Sequence, residues 1–226
     1  MHQEHRSRKT DFDGTTMTQM LSLHLKLKSL YAMQQPKPPR KLMRRREIPG
    51  GVRCITFSCQ RRLQLLTNHN ISQLFVDAMA CARSKHHVEI FAWVVMPEHV
   101  HLLCRPPKEV PLDRVLLGIK MSVAKRVLER WKALNAPILA EVTDATGRPR
   151  FWQKGGGFDR NVRDNLEFAR EVKYVHHNPV ERGLVVRPEA WPWSSVRWWM
   201  GQRDGEFVCD PPPGQPGAWD SWTGYV

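Results

Sequence analysis

Short runs of hydrophobic residues, several of them rich in β-branched side chains, mark the start of the folded part of the chain. They predict strands over residues 52–58, 88–96 and 99–105. Only Pro97 and Glu98 separate the last two runs, so we expect a β-hairpin with His99 beside its turn. A further short strand is predicted over residues 151–153.

Apolar residues recur at a spacing of three and four in three other stretches, which is the pattern of an amphipathic α-helix. The predicted helices cover residues 70–85, 112–134 and 163–178. Pro179 should end the third helix, because proline disfavours helical geometry in the residue before it. The glycine run 155–157 is expected to be a flexible turn, and it lacks the Gly-Lys-Ser/Thr ending of a phosphate-binding P-loop.

The chain carries a strong positive charge. Among its 226 residues, 35 lysines and arginines stand against 22 acidic residues, which gives a net charge of +13. This excess either serves solubility or indicates a polyanionic partner, and we favour nucleic acid.

No run of about 18 apolar residues is present that would span a membrane, and residues 1–20 lack the apolar core of a secretory signal. The five scattered cysteines contain no CxxC pair, which argues against a zinc ribbon and fits a reducing cytoplasm.

Composition divides the chain into three parts. Residues 1–45 are polar, basic and contain several prolines, so we expect a basic and flexible N-terminal extension. Residues 46–200 hold the predicted elements and form the expected single domain, because a chain of this length supports one sizeable core. Residues 201–226 are expected to form a loose C-terminal tail.

Two groups of basic residues are candidates for binding a phosphate backbone. Arg44, Arg45 and Arg46 either belong to a disordered tail or hold phosphates without reading sequence. The second group lies on the polar face of the helix predicted over residues 112–134, a face that is either simply solvated or a wall for a nucleic-acid backbone. This group comprises Lys120, Lys125, Arg126 and Arg130.

Two histidines flank one hydrophobic residue in the strand predicted over residues 99–105. Side chains alternate across a strand, so His99 and His101 point to the same face, about 7 Å apart along the backbone. Two neutral imidazoles placed in this way can share a divalent metal ion, but one more oxygen or nitrogen ligand is needed to complete the shell. Taken alone, such a histidine pair is more often a coincidence than a metal site.

Tyr174 is the second chemical candidate and one of only three tyrosines in the chain. It lies off the apolar stripe of its predicted helix, with Asn178 one turn later on the same flank. Tyrosine is a poor nucleophile at neutral pH because its ordinary pKa is about 10. A metal that polarises a phosphate would assist its attack, and Asn178 could supply the amide oxygen that the histidine pair lacks. Taken alone, Tyr174 is more often a packing or hydrogen-bonding residue.

These motifs resemble the HUH single-tyrosine transposases of the insertion-sequence two-hundred type, and among them the REP-associated tyrosine transposases. The stretch VVMPEHVHLL is similar to the family's hallmark, in which a hydrophobic residue separates two histidines. The family's second block is similar to the stretch FWQKGGGFDRNVRDNLEFAREVKYVHHNPVERGLV, and its closing motif is similar to PWSS. The three blocks follow the family's order and span about residues 45–200.

The resemblance implies an α+β fold in which helices back a ferredoxin-like antiparallel sheet. It implies that Tyr174 is the nucleophile that forms a covalent 5′-phosphotyrosine intermediate, and that His99, His101 and Asn178 hold Mg²⁺ or Mn²⁺. It further implies that a monomer or homodimer cleaves and rejoins single-stranded DNA next to small hairpins, in a bacterial cytoplasm.

Three features depart from the family pattern. Glu98 stands where many members carry asparagine, and its carboxylate would either bind metal or repel phosphate. The glycine run 155–157 is longer than the usual loop, and residues 1–40 have no counterpart in the resemblance. These departures leave open a domesticated module that binds hairpin nucleic acid without cutting it. A third interpretation is a basic, metal-dependent hydrolase that forms no covalent intermediate.

Overall fold

Four antiparallel strands form one sheet in this computed structural model, which describes residues 48–155, 157–203, 205 and 207–214. The strands are β1 (Arg53–Ser58), β2 (Glu89–Val95), β3 (His99–Arg105) and β4 (Phe158–Asn161). Their spatial order is β2-β3-β1-β4, and β2 and β3 form the predicted hairpin. β3 also pairs with β1, so that Thr56 lies opposite His101.

Helices lie on both faces of this sheet. They are α1 (His69–His86), α2 (Leu112–Ala133), α3 (Ile138–Val142), α4 (Asn165–Glu181) and α5 (Val196–Trp199). The elements that precede α4 follow the order of a ferredoxin-like fold, with the short α3 inserted before β4. The predicted α+β fold is therefore confirmed. Within the described ranges, no helix is both long enough and apolar enough to cross a membrane.

Side chains alternate between the two faces of each strand, so the two faces of the sheet contribute to two separate hydrophobic clusters. On β3, Val100 and Leu102 join the cluster that α1 and α2 cover, whereas Leu103 joins the cluster under α4. His99 and His101 have the same parity as Leu103, so the alternation directs them toward α4. The helix that carries Tyr174 therefore covers the face on which the histidine pair lies.

The strand predicted over residues 151–153 is wrong. Trp152 forms only an isolated bridge with Cys59, and the fourth strand is β4, whose sequence is FDRN. Only one of its residues is apolar, so no hydrophobic run marks it. Its extended conformation follows from hydrogen-bonded pairing with β1, where Arg53 lies opposite Asn161.

The predicted end of the third helix at Pro179 is also wrong. α4 continues through this proline to Glu181. A proline inside a helix removes one backbone hydrogen bond, but here the loss falls in the last turn. The N–H of Arg182 donates to the Asn178 carbonyl and that of Leu184 to the Pro179 carbonyl, which closes the helix end.

The chain after α4 returns to the outer edge of β2. The N–H of Val95 donates to the Trp193 carbonyl at 2.8 Å. Phe207 and Cys209 are buried, so the folded part extends past residue 200 into the predicted loose tail. Residues 215–226 of that tail and the predicted extension over 1–45 lie outside the described residues. The same holds for the candidate DNA-binding residues of the extension, Arg44, Arg45 and Arg46.

Phe168 anchors α4 to the sheet, and its replacement tests this packing. Its side chain is 1% exposed and meets the Phe91 ring edge-on, with 5.4 Å between centroids. Phe168→Ala should lower the free energy of unfolding by about 3–5 kcal/mol, because it empties a closely packed site. Leu166→Ala on the same helix, where the side chain is exposed, should change it by less than about 0.5 kcal/mol. Urea denaturation measures both, and equal effects would contradict the packing described.

Candidate active site

The histidine pair lies at the turn end of the β2–β3 hairpin. The N–H of Met96 donates to the His99 carbonyl at 2.8 Å and closes the turn. Both His99 and His101 are buried. Their Nε2 atoms are 2.9 Å apart, and the ring planes make an angle of 83°. The structure thus turns the two imidazoles toward a common point.

The other nitrogen of each ring is held by a neighbour. Nδ1 of His99 lies 3.1 Å from Oε1 of Glu98, and Nδ1 of His101 lies 2.7 Å from Oγ1 of Thr56. An ionised carboxylate only accepts, so His99 donates through Nδ1 and keeps the lone pair on Nε2. The Thr56 hydroxyl can accept from Nδ1 of His101 in the same way. Both rings can therefore present Nε2 lone pairs to a metal.

Burial keeps both imidazoles neutral. It lowers the pKa of His101 to about 3, and the neighbouring His99 ring adds to the effect. Burial also lowers the pKa of His99, against the opposing attraction of Glu98. A neutral imidazole offers a lone pair to a metal, whereas an imidazolium does not. At neutral pH the pair is therefore in the state that metal binding requires.

α4 brings Tyr174 and Asn178 to the histidine pair. The Tyr174 ring meets His101 edge-on with 5.3 Å between centroids, and 44% of the residue is exposed. Asn178 is buried, and its Nδ2 donates to the Tyr174 carbonyl at 3.0 Å, which leaves Oδ1 as an acceptor. The Asn178 side chain also acts on His101 directly, since it opposes the lowering of the His101 pKa. All four side chains line one cleft of about 630 Å³.

This geometry fits a divalent metal. Mg²⁺ in octahedral coordination binds its ligands at about 2.0–2.1 Å, so neighbouring ligand atoms are about 2.9 Å apart. The two Nε2 atoms have this separation. Among the described residues, no group of three or more His, Cys, Asp or Glu side chains could hold a metal. Asn178, the predicted third ligand, lines the same cleft as the two histidines, and its role as a ligand stays a prediction.

The sequence suggested that the Glu98 carboxylate would either bind metal or repel phosphate. In the structure it contacts two arginines and His99. It is buried, and its Oε1 accepts from Arg62 and from Arg182, each at 3.0 Å, besides its contact with His99. Burial opposes ionisation of this carboxyl, but the charge of Arg182 and the hydrogen bond from His99 outweigh burial and hold its pKa below the ordinary value. The carboxylate therefore orients His99 and is itself compensated by two arginines. Sequence reasoning missed both arginines, because they lie in separate segments without a motif.

Gly157, the last residue of the glycine run, lies close to β1. Gly157 has a φ of +70°, and a Cβ atom there would collide with the backbone oxygen of Thr56. The Thr56 side chain contacts His101, so this close approach occurs next to the histidine pair. Only glycine combines a left-handed backbone with such an approach. The predicted flexible turn therefore contains a residue with a specific steric role.

The candidate DNA-binding residues of α2 lie on the opposite face of the sheet from the cleft. Lys125, Arg126 and Arg130 are exposed. Lys120 is half-buried with its ammonium 5.3 Å from the centroid of the Phe57 ring, and burial lowers its pKa. The side chains that line the cleft include none of these four. Their contact with DNA stays a prediction that concerns a separate surface.

A buried hydrogen bond connects α4 to the PWSS segment. His176 is fully buried, and its Nε2 lies 2.7 Å from Oγ of Ser195. The same Oγ accepts from the N–H of Trp93 on β2 at 2.9 Å. The helix that carries Tyr174 is thereby held to the strand next to the histidine pair.

His176 should make stability depend on pH. Burial lowers its pKa to about 3, whereas the unfolded chain has a value of about 6.5. As the pH falls below about 6.5, the unfolded state takes up a proton that the folded state refuses, so stability should fall by about 1.4 kcal/mol per pH unit. In His176→Asn one proton fewer is taken up on unfolding, so the slope of stability against pH should be smaller than in wild type by this amount. Urea denaturation between pH 4 and 7 in EDTA measures the difference, and equal slopes would contradict it.

Known proteins share both the sequence pattern and the fold. The profile of the IS200-like transposase family matches residues 53–177, more than half of the chain. A REP-associated tyrosine transposase of Escherichia coli K12 is 28% identical over 158 residues, which cover 67% of this chain and 80% of the relative. A protein of Haemophilus influenzae Rd, provisionally given the same name, is 24% identical over 147 residues, which cover 65% of this chain and 80% of that protein.

The fold is similar to that of a REP-associated tyrosine transposase whose structure was solved bound to a REP hairpin. The TM-score is 0.55 at 24% identity, over 78% of this chain and 94% of the other. This likeness concerns the fold, and the family profile concerns the sequence from β1 to the helix that carries Tyr174. The chain therefore belongs to the IS200-like transposase family, and its curated relatives are REP-associated tyrosine transposases.

Proposed function

We propose that this transposase cuts and rejoins single-stranded DNA beside hairpins through a covalent link between Tyr174 and a 5′ phosphate. One observation carries the proposal. The partly exposed Tyr174 ring stands against His101, in a cleft where two neutral imidazoles turn their Nε2 atoms to one point. A nucleophile and a candidate metal site thus share an opening in which a phosphate can reach both.

In the proposed reaction the phenol oxygen of Tyr174 attacks the phosphorus of a DNA phosphodiester. The bond from phosphorus to the 3′ oxygen breaks, and the phenol proton is lost to water as the leaving 3′ oxygen gains one. The 5′ phosphate stays on tyrosine as an ester that conserves the bond energy. A 3′ hydroxyl can then attack this ester, which restores a phosphodiester and releases the tyrosine.

His99, His101 and Asn178 would hold the divalent metal, Mg²⁺ or Mn²⁺. The metal would polarise the phosphate and offset the charge that develops on its oxygens. The protein itself contributes orientation. Glu98 and Thr56 fix the two rings through their Nδ1 atoms, as expected for residues that support metal ligands. Asn178 donates to the Tyr174 carbonyl and so couples the third ligand to the nucleophile.

Hairpin DNA is the proposed partner. A net charge of +13 favours a polyanion, and the structural neighbour was solved bound to a REP hairpin. We infer that the protein acts on DNA in the cytoplasm, as a monomer or a homodimer, without a membrane partner.

A denaturing-gel assay tests the proposal. The probe is a single-stranded oligonucleotide with a hairpin from the DNA next to the gene, labelled at its 3′ end so that the label stays with the 5′-phosphate fragment. Incubation with Mg²⁺ or Mn²⁺ should produce a labelled protein band. Retarded DNA without that band, for several such hairpins, would favour the non-cleaving binding module. Cleavage without a labelled protein would favour the hydrolase.

A further inference from the structure

Two arginines from distant parts of the chain converge on one oxygen at the cleft. Arg62 follows β1 and Arg182 follows α4, and each places a guanidinium nitrogen 3.0 Å from Oε1 of Glu98. The two nitrogens therefore lie no more than 6.0 Å apart. The side chains are 56% and 50% exposed and line the same cleft as Tyr174. Two positive charges are thus held together, open to solvent, beside the proposed nucleophile.

The charges of this group do not cancel. One carboxylate stands between two guanidinium groups, so the three groups together carry one net positive charge. Each guanidinium has five N–H donors, and within the described part of the chain only the bond to Glu98 uses any of them. Two like charges at this distance repel each other. The group therefore has the charge and the donors to bind one more anion.

Arg160, a third arginine of the cleft, shows the contrast. Its guanidinium donates to Glu167 and to Glu171, so two carboxylates compensate one positive charge. Arg160 is therefore committed to holding β4 and α4 together. Arg62 and Arg182 are the arginines of this cleft that share a single carboxylate.

The backbone that presents Arg62 is held in an uncommon conformation. Arg61 and Arg62 have φ values of 51° and 54°, in the left-handed region that residues other than glycine rarely adopt. The N–H of Arg62 donates to the Cys59 carbonyl at 3.0 Å, and the N–H of Cys59 donates to the Glu98 carbonyl at 2.8 Å. These bonds tie the strained turn to the residue that precedes the histidine pair. Strain of this kind persists where the surrounding structure imposes it, often at functional sites.

We propose that Arg62 and Arg182 form a phosphate clamp, which binds a backbone phosphate of the single-stranded DNA in the cleft while Glu98 holds the two guanidinium groups in place. The proposal rests on the proposed function, since it names how the same cleft holds its substrate. Guanidinium groups bind phosphate oxygens with paired, charge-assisted hydrogen bonds that also set orientation. The clamp would thus position the strand against Tyr174 without reading its sequence.

The first test measures binding of the hairpin oligonucleotide with its single-stranded flank, in EDTA so that no cleavage occurs. Arg62→Ala and Arg182→Ala should each weaken binding about tenfold. Each should also reduce the slope of log affinity against log salt by about 0.7. Arg61→Ala is the matched control, because Arg61 has the same backbone conformation but donates to the Thr143 carbonyl instead. An equal loss in Arg61→Ala, or no loss in Arg182→Ala, would overturn the clamp.

The second test locates the phosphate. Neutral methylphosphonates replace the phosphates of the single-stranded flank one at a time. At one or two positions the wild type should lose about tenfold in affinity, and Arg62→Ala and Arg182→Ala should lose little further there, since the contact is already gone. Equal losses in wild type and in both variants at every position would contradict the proposal. Arg182 follows the end of α4 and has an ordinary backbone conformation. Arg182→Ala therefore tests the clamp even if Arg62→Ala disturbs the turn that carries Arg62.

The two proposals fail in different ways. A labelled adduct in wild type together with unchanged DNA binding in both arginine variants would overturn the clamp and leave strand transfer intact. Arginine-dependent binding with no adduct under any divalent metal would support the clamp and overturn strand transfer.

Discussion

Tyr174→Phe is expected to abolish the covalent protein–DNA adduct and to lower the rate of strand cleavage by at least about 10³-fold. The substitution removes the attacking oxygen and leaves the ring that contacts His101 in place. Folding and hairpin binding should therefore stay close to wild type. The 3′-labelled hairpin assay measures the adduct and the cleaved strand on the same gel.

Tyr225→Phe is the chemical control for this variant, because the chain has only three tyrosines and the third is Tyr31. This control should form the adduct at the wild-type rate. Cleavage by Tyr174→Phe as fast as by wild type would show that the proposed mechanism is wrong. An adduct that disappears while cleavage persists would instead indicate direct hydrolysis.

The second large effect is expected at His101. His101→Ala removes one of the two Nε2 atoms that face each other at 2.9 Å. Affinity for Mn²⁺ and the rate of metal-dependent cleavage should both fall by at least about 10²-fold, since removal of a ligand should cost at least as much as loss of its supporting partner. Hairpin binding in EDTA should persist. Calorimetric titration with Mn²⁺ gives a readout that does not depend on activity.

Two further variants provide comparisons for the Mn²⁺ affinity of His101→Ala. Thr56→Val removes the hydroxyl that contacts Nδ1 of His101, and it should reduce Mn²⁺ affinity by about 10–100-fold. His177→Ala removes a histidine of α4 that does not line the cleft, and it should leave Mn²⁺ binding unchanged. Unchanged Mn²⁺ affinity in His101→Ala would place the metal elsewhere or remove it from the proposal.

The periods of a strand and of a helix were enough to predict which residues of the candidate site lie side by side on the same element. His99 and His101 share a face because side chains alternate along a strand. Tyr174 and Asn178 share a flank because residues four apart are neighbours on a helix. The same reasoning failed for β4, whose sequence FDRN is extended because it pairs with β1. It also failed at Pro179, where the position in the last turn made the proline tolerable.

What the sequence by itself determined about this protein is the set of chemical groups and their local spacing: a histidine pair on a strand, a tyrosine and an asparagine on a helix, and a basic chain. Only the tertiary structure decided that α4 covers the histidine pair, that Thr56 meets His101, and that Arg62 and Arg182 converge on Glu98. The reason is physical. Strand and helix periods are set by backbone geometry within a few residues, whereas contacts between remote residues depend on how separate elements pair and pack.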